Sequence, residues 1–78
     1  MPHPNAERKV REMRADVARR LRVARADKRL SQADVAKAAG TSRVTVSELE
    51  NEVADPRITT LARIAGVLDL TLTVGSAA

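Results

Sequence analysis

Cysteine is absent from this 78-residue chain, and so are phenylalanine, tyrosine and tryptophan. Without cysteine there is neither a disulfide nor a thiolate zinc site to staple a chain this short. The same absence agrees with a reducing cytoplasm. Without aromatics the core must be built from Leu, Val, Ile, Met and Ala, and a surface that stacks unpaired bases on rings is excluded. Duplex DNA requires no rings. His3 is the sole histidine, so no Ser/His/acid or metal-ligating constellation can be assembled. Neither catalytic residues nor a cofactor motif is found, and an enzyme is not expected. No apolar run reaches the roughly 18 residues of a membrane span, and the first residues lack the apolar stretch of a signal peptide.

The charge that is present is uneven. Residues 1–30 hold ten Lys/Arg against four Asp/Glu, net +6, and residues 31–78 hold four against six, net −2. A basic half suggests a polyanion partner, although a charged face is more often simply solvated. After a disordered start over residues 1–4, the spacing predicts one long helix over about 6–28, or a short extra helix ahead of the first. Val10, Met13, Val17, Leu21 and Ala24 share its apolar face, and Arg8, Arg11, Arg19 and Arg22 form a basic stripe beside it.

The densest pattern runs from Leu30 to Glu50. Ser31 is placed as an N-cap, Asp34 answers it three residues on, and Leu30 and Val35 can staple over the first turn. Ala36, Ala38 and Ala39 keep this helix, over about 32–39, narrow until Gly40 ends it in the left-handed conformation. Ser42 caps a second helix over about 43–50, with Val46 and Leu49 as its inward stripe. Two short helices joined this tightly must cross steeply, as in a helix-turn-helix. A loop from Asn51 to Pro56 leads to a last helix over about 57–68, with Ile58, Leu61, Ile64, Ala65 and Leu68 inward, Gly66 a sign of close packing, and Asp69 as its stop. Leu70, Leu72 and Val74 then alternate with threonines as a strand does, and a lone strand needs an edge. The expected architecture is an all-α bundle over residues 5–70 with a strand-like tail over 71–78. That tail is expected to pair across a homodimer, against the bland reading of an extended tail.

Arg25, Leu30-Ser31-Gln32, Ala36, Gly40-Thr41-Ser42, Val46, Glu50, Pro56, Leu61, Ile64-Ala65 and Leu68 together resemble the Xre/Cro-type helix-turn-helix domain of phage repressors and small bacterial regulators, over about residues 19–70. The tail resembles that of small antitoxins of the HipB and HigA sort. The resemblance implies that residues 42–50 lie in the major groove. Arg43, Val44, Ser47 and Glu48 are then the candidates for base contacts. The Arg43 fork suits guanine O6 and N7, with a phosphate contact as its alternative. Val44 suits a thymine methyl or is an ordinary surface valine. Glu48 suits cytosine N4, holds the Arg43 fork, or merely repels phosphate. Gln32, Thr41, Ser42, Thr45, Lys28, Arg29 and Arg57 are the candidates for phosphate contacts, while Lys37 reads as solvated. Arg25 and Glu50 occupy the positions of a structural ion pair. Two departures stand out: Glu52 occupies a place where glycine commonly follows the acidic residue, and Glu52 with Asp55 makes the next loop acidic, leaving Arg57 as its only cation.

The function implied is a homodimeric, sequence-specific repressor of double-stranded DNA, acting on a palindromic operator in the bacterial cytoplasm at the nucleoid. An antitoxin that binds a protein toxin and regulates its own operon is the alternative. A third reading is a protein adaptor on the same fold.

Overall fold

The computed structural model describes Met1 and residues 3–72 of the chain. Four helices follow one another: α1 Pro4–Asp27, α2 Gln32–Ala39, α3 Arg43–Glu50 and α4 Ile58–Val67. No strand occurs among the described residues. Leu70 instead joins the turn that closes α4 and packs at the edge of the core. Leu72 is half-buried without regular structure, and Val74, the rest of the expected strand, lies outside the described residues.

α1 starts two residues ahead of expectation, because His3 caps it: its Nδ1 accepts the Asn5 N–H at 3.1 Å. Pro4 then takes the first turn, where a missing N–H costs nothing. α2 opens with a complete capping box, in which Ser31 Oγ accepts the Asp34 N–H and the Ser31 N–H donates to Asp34 Oδ2, both at 2.9 Å. The bonds from Ser31 hold the Asp34 carboxyl below the usual carboxylate range. At α3, Ser42 Oγ accepts the Thr45 N–H at 3.1 Å.

All four helices end in the same turn. A residue with positive φ, Arg29 (56°), Gly40 (71°), Glu52 (64°) or Asp69 (54°), is followed by one whose N–H reaches back five residues. These bonds are Leu30 to Arg25 O at 3.1 Å, Thr41 to Ala36 O at 2.9 Å, Val53 to Glu48 O at 2.9 Å and Leu70 to Ala65 O at 2.8 Å. This is the Schellman motif, which usually places glycine at the left-handed position. Here only α2 has one.

Leu21, Val35, Ala36, Ala39, Val46, Leu49, Ile64 and Leu68 form the core, with α2 packed on both α3 and α4 and α1 packed on α3. Two expectations fail at its edges. Val10 and Met13 are 40% and 48% exposed, because the first half of α1 projects past the other helices, while Ala18 is the fully buried residue the spacing missed. Ile58, expected inside, is 84% exposed at the first position of α4. Nor does Gly66 mark a close approach: a Cβ there would meet nothing within 4 Å.

Candidate nucleic-acid interface

α3 has two faces with opposite fates. Val46, Leu49 and Glu50 are buried, whereas Arg43, Val44 and Glu48 are exposed and Ser47 is half-buried. Val44 is 61% exposed. Arg43 and Glu48, five residues apart along the helix, form no ion pair with each other among the described residues, so the fork of Arg43 is not held by Glu48. Ser47 is less free: Asn51 Nδ2 donates to its backbone carbonyl at 2.8 Å and to its Oγ at 3.3 Å. Asn51 is not among the candidates the sequence offers, and its one sequence signal is its place just after the helix.

The first turn of α3 is preset by hydroxyls. Ser42 Oγ and Thr45 Oγ1 share a hydrogen bond of 2.9 Å, so cap and side chain brace one another while Thr41 remains half-buried beside them. A helix N-terminus carries free N–H groups and a partial positive charge suited to an anion.

Behind α3 lies a buried polar knot around Glu50, which is 4% exposed. Arg25 grips its carboxylate with two bonds, Nε to Oε2 at 2.7 Å and Nη2 to Oε1 at 2.9 Å, and donates from Nη1 to Leu30 O at 2.9 Å. The Gln32 amide donates to Glu50 Oε1 at 3.3 Å. Arg22 donates to the backbone carbonyl of Glu50 at 2.7 Å, where the carbonyl end of α3 favours a cation. Burial pushes the Glu50 carboxyl up, but the bonds from Arg25 and Gln32 outweigh it and hold the group below its ordinary value. The bond to Glu50 raises Arg25 against the opposing effect of its own burial. The expected ion pair of Arg25 and Glu50 is thus present with two further partners. Gln32, a phosphate candidate, lies part-buried against it, and Arg22, read only as one of a basic stripe, anchors the end of α3.

Of the other cations named for phosphate, Arg29 and Arg57 are exposed, Arg57 at the N-terminal boundary of α4. Lys28 instead bonds Asp69 Oδ2 at 2.7 Å and holds that carboxyl low. The acidic loop after α3 is partly neutralised from α1, because Arg14 pairs with Asp55. That pairing spans 41 positions and has no local signal in the sequence.

Residues 21–74 match the family model described as helix-turn-helix, well over half of the chain. The chain belongs to the Xre/Cro-type helix-turn-helix family. No curated protein and no solved structure matches it. As a member of this family it is a DNA-binding transcription regulator, and the family is a regulatory one rather than an enzyme family. In helix-turn-helix proteins the second helix of the motif enters the major groove, and α3 is the second helix of this motif. Among the described residues no helix is long and apolar enough to cross a membrane, and no cluster of metal-ligating side chains forms.

Proposed function

We propose that this helix-turn-helix protein is a homodimeric, sequence-specific repressor that reads the major groove with residues 42–50. The observation that carries the reading is the division of labour along α3. Its inner side is fixed by Val46, Leu49 and the Glu50 knot, and its outer side presents Arg43, Val44 and Glu48 to solvent. Arg43 reads guanine through a two-bond fork, Val44 meets a thymine methyl, and Ser47 and Glu48 contribute polar contacts beside them. Gln32, Thr41, Ser42, Thr45, Arg29 and Arg57 track the backbone, and Lys28 joins them only by leaving Asp69. A module of this size neutralises few phosphates, so useful affinity calls for two copies on half-sites about one helical turn apart. The alternation of Leu72 and Val74 with threonines supports the tail as one contact across that dimer.

Fluorescence anisotropy on DNA upstream of the protein's own gene, against scrambled DNA and over a salt series, tests this. The expected result is preference for the native sequence, lost in Arg43→Ala. Equal, salt-sensitive binding to both DNAs refutes specific reading. The antitoxin alternative rests on small size and the strand-patterned tail, and is checked by co-purification with the product of a neighbouring gene.

A further inference from the structure

Among the candidate base readers on α3, Ser47 is the one whose side chain the described residues hold in place by a hydrogen bond. It follows Arg43 by four residues and Val44 by three, so it lies beside both on the outer side of the helix. Asn51, the C-cap residue, follows it by another four. The Asn51 amide nitrogen donates to the Ser47 backbone carbonyl at 2.8 Å and to Ser47 Oγ at 3.3 Å. The carbonyl settles which way the amide faces, because a backbone oxygen only accepts. We propose that Asn51 is a positioning residue for DNA reading, which fixes the Ser47 hydroxyl and makes it a proton donor to a base edge.

Serine alone is an ambiguous reader, since its hydroxyl both gives and accepts and suits either kind of base edge. Asn51 removes that ambiguity in two ways. Its bond takes up one acceptor site of Oγ and ties the side chain to the end of its own helix, which favours a single rotamer. A hydroxyl that accepts a bond is also polarised toward giving one, as along any chain of hydrogen bonds. A helical serine commonly spends its proton on the carbonyl four residues back. Here, among the described residues, the bond from Asn51 is the only one the Ser47 hydroxyl makes, and its proton is left for the groove. Adenine N7, guanine N7 and O6, and thymine O4 accept such a proton, whereas cytosine presents only its N4 amino donor. Ser47 held by Asn51 therefore rejects the C·G pair in one orientation and tolerates the other pairs.

The inference rests on the reading of α3 as the helix in the groove, and the test separates the two. The full chain selects from randomised duplexes, and the enriched DNA is sequenced for wild type, Ser47→Ala, Asn51→Ala and Asn51→Asp, with a thermal melt of each. Expected is a wild-type motif in which Ser47→Ala flattens one base-pair position, where wild type disfavours C·G in one orientation about five- to tenfold. Asn51→Ala flattens that same position and leaves the others as they were. Asn51→Asp, which accepts the Ser47 proton and donates none, reverses the order there in favour of C·G. At that position 7-deazaadenine keeps the amino donor of adenine and lacks its N7 acceptor, so it binds the wild-type chain about five- to tenfold more weakly than adenine. This last measurement checks the donor role without altering the protein. A motif with no position flattened by Ser47→Ala, or equal binding of adenine and its 7-deaza form, overturns the inference. So does a Ser47 position that both Asn51 variants leave unchanged or weaken only in step with all the others, a result that makes Asn51 a helix cap and leaves groove reading standing. A wild-type chain that enriches no sequence overturns both.

Discussion

Arg25 and Glu50 meet side by side, with two bonds of 2.7 and 2.9 Å between guanidinium and carboxylate, and so tie α1 to the last residue of α3. Such a pair adds little net stability over apolar side chains, yet losing one partner strands a buried charge at a cost of about 3 to 5 kcal/mol. Arg25→Ala is therefore expected to lower the melting temperature sharply, and to weaken DNA binding only through the folded fraction. A wild-type melting curve would remove the pair from its structural role.

The same knot sets a pH dependence. Glu50 is held below its ordinary value of 4.5 in the folded chain, so the folded state binds this proton less readily than the unfolded state. Its contribution to stability is complete above about pH 4.5 and is lost as pH falls through the lower folded value. Asp34 and Asp69, also lowered, act in the same direction. Melting temperature is expected to drop below pH 4.5, and Glu50→Gln, less stable at neutral pH, is expected to show a shallower drop. Parallel curves for the two proteins would refute this.

Two glycines make opposite predictions. Gly66 lies within α4 with open space where a Cβ would go, so Gly66→Ala is expected to stabilise by about 1 kcal/mol. That is roughly 4 to 8 °C in melting temperature for a domain of this size. Gly40 has equal room but φ of 71°, and Gly40→Ala is expected to destabilise by about 1 kcal/mol from backbone strain alone. Equal effects of the two changes would contradict the account.

Glu52 holds the left-handed position after α3 at φ 64°, where a side chain costs about 1 kcal/mol relative to glycine. Glu52→Gly should recover most of that in thermal melts. Since it also removes a negative charge from the loop, DNA affinity at low salt should rise. A fall in stability would mean that the Glu52 side chain contributes something beyond its backbone geometry.

Arg43→Ala and Arg57→Ala are expected to differ in kind. Removing a base-reading fork costs about 1 to 3 kcal/mol of discrimination at its own base pair. Removing a phosphate contact weakens binding to every sequence and reduces the salt slope by about 0.9. Both side chains are exposed, so neither change should move the melting temperature much, and a titration of each variant over salt and operator mutants separates them.

Local chemistry made much of this legible. The Ser31 box, the Ser42 cap, Gly40 and the inward Val46 and Leu49 are short-range patterns, and the Arg25–Glu50 pair followed from the family resemblance. Contacts between distant segments had no such signal: Arg14 with Asp55, Arg22 with the Glu50 carbonyl and Gln32 with its carboxylate depend on how α1 and α2 lie against α3. Periodicity also overreached. It marks which side of α1 is apolar, not how far the neighbouring helices extend, so Val10 and Met13 share that side yet lie beyond the core. The sequence signals helix stops only through glycine at α2 and a tolerant Asp69 at α4. The structure shows that the turn is specified by the backward bond and can be filled by Arg29 or Glu52.

α1 holds α3 at one end only with polar bonds, through the carboxylate and the carbonyl of the single residue Glu50. Glu50 thereby acts as a pivot, and Arg43 rides seven residues away at the tip of a lever about 10 Å long. A tilt of some five degrees at the pivot carries the tip by about 1 Å, enough to spoil a hydrogen bond to a base edge. A change at Arg22, on a different helix from Arg43, is therefore expected to shift where Arg43 sits without touching it.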